Sequence, residues 1–514
     1  MSDNLVDYLR SDRSWPPMDA AHPFCEFDAA VFSLVTYFPL TYVPGGGCFV
    51  THIPLKDYCE LTLWKYKFPS STPPQIGIGH LNEDDVYTLD KYKGDKFKPE
   101  LDILKYIARI PRYANVMLEM SRVTNDEWDR DRGPESCAQF GAVTFVLPYK
   151  SEGSKIRVIT FRGTNGTLVG WKDDLYLALD NFSSMVERRA YDYVSDVIGE
   201  NSDSKFVITG HSKGGYLAVY SFFRYVSDKL HNGSSYRDLE KQFYRERYRK
   251  AVFNFDGPGI KQAEIDRIKS DIGSGCFDRF KGMVVVFAPS SAVVSLLLGE
   301  SFQERTCYVR SNASGFMQHS LRTWVINREF DFSSRGETGP FISTSQDSFS
   351  KAITKSISEF LEVYSGSAED QVVLKQSIDT IFLILENGTS RHQELPNKED
   401  LLSCAKKLCY QAQNNIPFVE TLKKLTDKLI VNLERVFPSG GLEYILAIAI
   451  LVKLLIQNEG YLGAIHDIFE NASLSDEEKL NEVSGLMIEI IIANLRSTIW
   501  YARVYMEIRD ILSS

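Results

Sequence analysis

The sequence predicts an α/β fold: a mostly parallel sheet with helices on both faces, followed by an all-helical C-terminal region. Short β-branched and aromatic runs alternate with helical stretches in the middle of the chain, and strand signals stop after about Phe341. The 514 residues allow two or three domains, or one large α/β domain with a substantial appendage. We therefore predict an α/β domain with an N-terminal helical extension at 1–340 and a helical region at 341–514.

The elements of the sheet follow from local pattern. Ala142–Leu147 and Ile156–Phe161 are strand-like runs joined by the turn-forming Ser151–Ser154, which predicts a hairpin. Further strands are predicted at 206–209, 251–255, 283–287 and 306–310, with helices at 183–198 and 216–230.

The segments before the hairpin are less regular. The apolar run Ala30–Phe38 is predicted to be buried against a larger body. Prolines and glycines between Thr51 and Asp90 predict a loop-rich segment, and a helix is predicted over Pro99–Ile110.

The C-terminal region carries apolar stripes at helical spacing, and Ser475-Asp-Glu-Glu478 is a capping box that opens the last helix. Its most apolar run, Leu442–Ile456, contains Lys453 and is shorter than the ~20 residues that span a bilayer. Burial is therefore favoured, with peripheral membrane contact as the minority interpretation. The region is expected either to wall a substrate groove or to form a separate bundle. Groove or lid segments are expected at 181–193 and 294–298.

Composition excludes several classes of function. The chain has 58 Lys and Arg against 68 Asp and Glu, a formal net charge of −10, which argues against nucleic acid as the main ligand. Eight cysteines are scattered without CxxC spacing, which predicts a reduced interior with no metal site. The N-terminus lacks the basic and apolar segments of a signal peptide, so a cytoplasmic location is expected.

The strongest chemical signal is a G-x-S-x-G sequence, Gly210–Gly214, between a predicted strand and a predicted helix. In a nucleophile elbow the serine occupies a strained turn, and small residues two positions away on either side avoid a clash. Ser212 is therefore the candidate nucleophile, and the backbone N–H of Lys213 is placed to stabilise an oxyanion at the helix N-terminus. The alternative is a chance glycine-rich turn.

A second glycine-rich turn ends the preceding strand. Phe161-Arg-Gly-Thr164, followed by Trp171-Lys-Asp-Asp174, resembles the FRG(S/T)…WxxD segment of class-three lipases, which are α/β-hydrolases. The resemblance implies that Thr164 contributes its backbone N–H and hydroxyl to the oxyanion hole, with Asp174 as a buried polar support. Without it, Thr164 is an ordinary helix N-cap in a βα turn.

The resemblance covers about 4–326 and is closest to a bacterial branch of lipase-like proteins that also has a helical C-terminal extension. The motifs of that branch are PFxExD, GHSKGG, DGPG, PxSSxV and QHxxxxW. They occur here, in order, as Pro23-Phe-Cys-Glu-Phe-Asp28, Gly210–Gly215, Asp256-Gly-Pro-Gly259, Pro289-Ser-Ser-Ala-Val293, and Gln318-His319 with Trp324.

Histidine suits the role of general base because its pKa lies near neutrality. The α/β-hydrolase order of nucleophile, acid and histidine leaves four candidates after the elbow: His231, His319, His392 and His466. His319 is preferred because it follows the last predicted strand and matches the QHxxxxW motif. A surface histidine is the alternative interpretation.

The triad acid is expected at Asp256. Class-three lipases take this acid from a D-x-V-P segment after the next strand, where this chain has Ser290-Ser291-Ala-Val293 and no carboxylate. Asp256 ends the preceding strand, a position from which some other lipases supply the acid. The alternative is that Asp256 only caps the turn at Gly257 through an Asx hydrogen bond.

Two functions follow. The first is a serine hydrolase that cleaves carboxylic esters of lipids or other small acyl compounds through an acyl-enzyme, without a cofactor. Thioester or peptide cleavage is the nearest other chemistry. The second is a non-catalytic hydrolase scaffold that binds a partner through its helical region, which the missing carboxylate near Ser291 favours. No pattern identifies a protein partner.

Overall fold

The structure is a computed structural model that describes most of residues 4–346 and a few residues between 464 and 486. Within 4–346 the description omits 12–14, 39–47, 61–97, 126–138, 165–184, 245–249, 261, 291, 293, 297–301, 303, 314–317 and 334–337. The predicted helices between 349 and 456, including Leu442–Ile456, lie outside the described residues.

The chain divides into two compact units. One comprises Met1–Asn165 and Asn181–Gln346, and the other comprises Gly166–Asp180 and Asp347–Ser514. In the second unit the predicted capping box is confirmed, because Glu478 N donates to Ser475 Oγ at 3.3 Å and Ser475 N donates to Glu478 Oε2 at 2.8 Å. In the part of the chain that the structure describes, no helix is long and apolar enough to cross a membrane.

The first unit is built on one sheet, which has eight strands among the described residues, in the order β1 to β8. The strands are β1 (Cys48–Pro54), β2 (Met117–Asn125), β3 (Gln139–Ser151), β4 (Ser154–Phe161), β5 (Ser204–His211), β6 (Val252–Phe255), β7 (Val284–Pro289) and β8 (Thr306–Val309). The pairs from β1 to β4 are antiparallel and those from β4 to β8 are parallel. The predicted mostly parallel α/β sheet is confirmed.

The predicted hairpin is confirmed as β3 and β4. Its two-residue turn is Glu152-Gly153, and both residues have positive φ, 50° and 83°. Glycine suits this turn because it adopts positive φ without steric cost, and such turns match the twist of the flanking strands.

The prediction of a loop-rich segment from Thr51 is wrong at its start, because β1 extends to Pro54 and residues 55–60 are helical. β1 lies at the sheet edge and pairs with β2, which begins about 60 residues later at Met117. A strand that depends on such a distant partner and ends in a proline carries little local signal. The remainder of the segment, after residue 60, lies outside the described residues.

The helices cover the sheet. They include α1 (Leu5–Arg10), α2 (Glu26–Val35), α3 (Lys98–Arg109), α4 (Met185–Glu200), α5 (Lys213–His231), α6 (Tyr236–Gln242), α7 (Gln262–Ile272) and α8 (Ser274–Lys281). The predicted helices at 99–110, 183–198 and 216–230 correspond to α3, α4 and α5. Nearly every residue of β5 is buried. Since successive strand residues face opposite sides, β5 is covered on both faces.

A buried ion pair fixes α2 on the sheet. Arg112, just after α3, donates from Nε and Nη2 to the two carboxylate oxygens of Asp28 at 2.7 and 2.6 Å, and neither side chain is exposed. Tyr113 Oη and the backbone N–H of Cys25 also donate to Asp28. The PFxExD motif therefore supplies an internal anchor, and α2 leads from it to Tyr37 at the carboxyl end of β5.

Candidate active site

Ser212 occupies a sharp turn between β5 and α5. Its φ and ψ are 58° and −133°, a conformation that costs a non-glycine residue about 1–3 kcal/mol. Backbone hydrogen bonds hold it there: Ser212 N donates to Phe255 O at 2.9 Å, and Gly215 N donates to Ser212 O at 2.8 Å. The strained strand-to-helix turn predicted from G-x-S-x-G is present.

Close backbone approach explains the two glycines of this turn. A Cβ on Gly210 would overlap the backbone of Gly214, and a Cβ on Gly214 would overlap the carbonyl of Phe161 at the end of β4. The turn can therefore close over the carboxyl ends of β4 and β5 only without side chains at these positions.

Asp256 is strained in a similar way at the end of the neighbouring strand, β6. Its φ is 49°, and its N–H donates to Phe287 O at 2.7 Å. Among the described residues, positive φ at non-glycine positions occurs only at Glu152, Ser212 and Asp256. Two of these three are the predicted nucleophile and acid, which accords with the clustering of backbone strain at functional sites.

His319 and Asp256 form a direct pair. Nδ1 of His319 donates to Asp256 Oδ2 at 2.7 Å. The Asp256 side chain is 1% exposed and the His319 side chain 22% exposed. A ring that donates from Nδ1 has Nε2 left to accept a proton, so the pair has the arrangement of an oriented general base.

The turn after β6 is capped by another residue. Asn254 Oδ1 accepts from Gly257 N at 2.7 Å, which is the Asx-type bond that the sequence offered as the alternative role for Asp256. The second oxygen of Asp256 accepts from Ser295 N at 3.3 Å. Asp256 is thereby available to His319. The sequence did not reveal that Asn254 and Ser295 make these bonds.

The loop that carries His319 is fixed from within the core. Trp324 is fully buried and donates from Nε1 to the carbonyl oxygen of Gln318 at 2.8 Å. Ser290, in the segment where class-three lipases carry their acid, donates from Oγ to Gln318 Oε1 at 3.3 Å. The tryptophan and glutamine of the QHxxxxW motif therefore position the loop.

The predicted oxyanion-hole residues flank the elbow. Lys213 is the first residue of α5, and Thr164 is half-buried and follows Gly163. A Cβ on Gly163 would overlap the carbonyl of His211 and the hydroxyl of Tyr37, and would lie 3.0 Å from Ser212 Cβ. The turn of Thr164 thus lies directly against Ser212. Asp174, the predicted support, lies outside the described residues.

His211, the residue before Ser212, also contacts His319. Its ring lies 4.6 Å from that of His319, centroid to centroid. Nε2 of His211 is 2.7 Å from the carbonyl oxygen of His319, and Nδ1 is 2.7 Å from the Tyr37 hydroxyl. Tyr37 had no sequence signal, because 174 residues separate it from its partner.

Ser212 and Asp256 thus lie at the carboxyl ends of the neighbouring parallel strands β5 and β6, and Lys213 and Thr164 lie beside the serine. His319 bonds to Asp256 from the loop that follows β8. Within the described ranges, no group of three or more His, Cys, Asp or Glu side chains is arranged to hold a metal ion. The His319–Asp256 pair can stabilise an imidazolium.

Comparison with known proteins identifies the family. The Mbeg1-like family model matches residues 107–382, more than half of the chain, so the chain belongs to this lipase-like family. No curated protein matches. One structural match is the crystal structure of a mutant form of MDLA from Penicillium cyclopium, with 16% identity, a TM-score of 0.21, and coverage of 43% of this chain and 75% of that chain.

Proposed function

We propose that this member of the Mbeg1-like family is a serine hydrolase that cleaves carboxylic esters, with lipid or other small acyl esters as substrates. The proposal rests chiefly on one observation: Asp256, buried and strained, accepts from Nδ1 of His319 at 2.7 Å at the strand end next to the strained Ser212. A histidine that served only as a surface residue would not require a hydrogen bond from its ring to a buried carboxylate.

Each residue has a distinct role. Ser212 Oγ attacks the ester carbonyl carbon while Nε2 of His319 takes the hydroxyl proton, and Asp256 holds Nδ1–H and stabilises the imidazolium. The carbonyl oxygen becomes an oxyanion, which the backbone N–H groups of Lys213 and Thr164 stabilise.

Two half-reactions then complete the cycle. The tetrahedral intermediate expels the alcohol, which takes the proton from His319 and leaves an acyl group on Ser212. A water molecule, deprotonated by His319, hydrolyses that acyl-enzyme, and the proton returns to Ser212 as the acid leaves. These steps require no cofactor.

Removal of the serine hydroxyl tests this function. We expect Ser212→Ala to lower p-nitrophenyl ester turnover by at least about 10³-fold, since the residues of a triad act as a unit. The fold should persist, because backbone bonds and glycines hold the elbow. Ser221→Ala is the matched control: Ser221 lies on the same helix and donates to Leu217 O at 2.6 Å, so this variant should retain turnover.

Full turnover in Ser212→Ala would contradict the assignment. If the wild-type chain neither hydrolyses esters nor reacts at Ser212, the second interpretation holds, in which the hydrolase scaffold serves binding. The sequence feature that favoured this interpretation was the missing carboxylate near Ser291. Asp256, paired with His319, now offers a carboxylate for that role.

A further inference from the structure

The hydrogen bonds of His211 have a defined direction. A carbonyl oxygen carries no proton, so Nε2 of His211 must donate to the carbonyl of His319, 2.7 Å away. Burial, together with the nearby charge of His319, lowers the pKa of His211 well below 6.5, so the ring stays neutral. A neutral ring that donates from Nε2 accepts at Nδ1, and the Tyr37 hydroxyl therefore donates to it at 2.7 Å.

This chain of donors ends on the backbone of the predicted base. The carbonyl of His319 accepts from His211, and the carbonyl of the preceding Gln318 accepts from Trp324. The His319 ring donates to Asp256 on one side and lies against the His211 ring, inclined by 33°, on another. Two successive carbonyls, of Gln318 and His319, thus fix the main chain of the loop. The bond to the second carbonyl comes from His211, the neighbour of Ser212 in the chain.

We propose that His211 is a positioning residue, supported by Tyr37, that holds His319 in its pairing with Asp256 and in register with Ser212. The inference rests on the proposed function and extends it. His211 and Ser212 are adjacent in the chain, so the bond from His211 couples the elbow to the base loop across 108 residues. Displacement of a general base by about 1 Å can lower the rate roughly 10²-fold, so a bond that holds His319 in place should raise kcat.

Replacement of the donor tests the proposal. His211→Leu removes the N–H that binds the His319 carbonyl, whereas His211→Gln retains an N–H donor of similar reach. We expect kcat to fall by roughly 10–100-fold in His211→Leu, with KM little changed, and to be largely restored in His211→Gln. His231→Leu, at the exposed end of α5, is the control and should leave kcat unchanged.

A second readout does not depend on turnover. The Nδ1 proton of His319, bonded to Asp256, should give a downfield proton NMR resonance in the wild type. It should be lost or broadened in His211→Leu and retained in His211→Gln and His231→Leu. If His211→Leu fails to fold, the same resonance is measured in Tyr37→Phe, where it should be weakened. Tyr236→Phe is the control and should leave the resonance unchanged.

A double-mutant cycle establishes that Tyr37 acts through His211. Tyr37→Phe should lower kcat a fewfold in the wild-type background and have no effect in the His211→Leu background. An equal effect in both backgrounds would overturn the relay. A normal resonance with full kcat in His211→Leu would overturn the positioning role.

Failure of the proposed function gives a different result. In that case the resonance still responds to His211→Leu, but the wild-type chain shows neither ester turnover nor covalent labelling of Ser212. The positioning inference would then stand, and the ester hydrolase would be wrong.

Discussion

Two buried carboxylates of the first unit have similar burial and different surroundings. Asp28 is fully buried, and both of its oxygens accept charged bonds from Arg112, with further donors at Tyr113 and Cys25. Asp256 is 1% exposed, but its partner His319 is a titratable ring that is 22% exposed. Its other oxygen accepts a 3.3 Å bond from Ser295 N.

The difference distinguishes a structural anchor from the proposed reaction centre. Arginine cannot lose its proton in a protein, so the Asp28 pair keeps constant charge and its donors saturate the carboxylate. Histidine gains and loses a proton near neutral pH, and the partial exposure of His319 leaves its second nitrogen accessible. Loss of Asp28 should therefore reduce stability, and loss of Asp256 should reduce turnover.

The largest expected effect is on turnover at Asp256. We expect Asp256→Asn to lower kcat by about 10⁴-fold with little change in KM, because the His319 ring loses its orientation and its counter-charge. Thermal unfolding should change little. Asp266→Asn is the matched control, since Asp266 is exposed on α7 and accepts from Gln262 Nε2 at 2.7 Å.

Retention of most turnover in Asp256→Asn would place the acid elsewhere, with Asp174 as the next candidate. It would also remove the contrast between Asp28 and Asp256, because neither carboxylate would then contribute to turnover.

The next effect is on stability at Asp28. Asp28→Asn leaves the Arg112 guanidinium buried without its counter-charge, and we expect the free energy of unfolding to fall by about 3–5 kcal/mol. Removal of both charges in Asp28→Asn with Arg112→Met should recover much of this loss. Urea unfolding followed by tryptophan fluorescence measures both.

The exposed pair of Arg122 and Asp196 provides the comparison. Asp196 is 49% exposed, so Asp196→Asn should change the free energy of unfolding by less than about 1 kcal/mol. A loss as large as that of Asp28→Asn would show that burial does not set the strength of these pairs.

The smallest effect concerns pH. Because the pKa of His211 is lowered well below 6.5 in the folded chain, the unfolded chain binds a proton that the folded chain does not as the pH falls through that value. The wild type should therefore lose stability from about pH 6.5 downward, by at most about 1.4 kcal/mol per pH unit from this group.

His211→Gln should remove this contribution. Unfolding measured between about pH 7.5 and about pH 5 should give a shallower acid loss than in the wild type. Identical pH profiles would mean that His211 is not held neutral, and the direction assigned to its hydrogen bonds would be wrong.

Much of the fold could be predicted because its signals are local. The hairpin and the strands of the parallel half are short apolar runs with β-branched residues, and their ends lie within a few residues of the predicted bounds. β1 escaped prediction, and no strand was predicted at β2. β2 carries Glu119, whose charge is atypical of a buried strand. Glu119 accepts from Arg157 on β4, a partner that only the assembled sheet brings close.

The candidate site divides in the same way. Ser212 and Thr164 were predicted from contiguous motifs, and His319 from chain order and a motif. The choice between two roles for Asp256 depended on whether Asn254 takes the turn bond, which is a matter of side-chain geometry. Tyr37 is one aromatic residue in an apolar run, and its contact with His211 follows from the anchoring of α2 by Arg112.

The most direct measurement is covalent labelling of the native full-length chain with an active-site fluorophosphonate, followed by intact-mass and peptide-level mass spectrometry. The account predicts one adduct per chain, located on Ser212. Labelling should be absent in Ser212→Ala and much slower in Asp256→Asn, and it should proceed at the wild-type rate in Ser221→Ala. An unlabelled wild-type chain, or an adduct on another residue with Ser212 unmodified, would contradict the account.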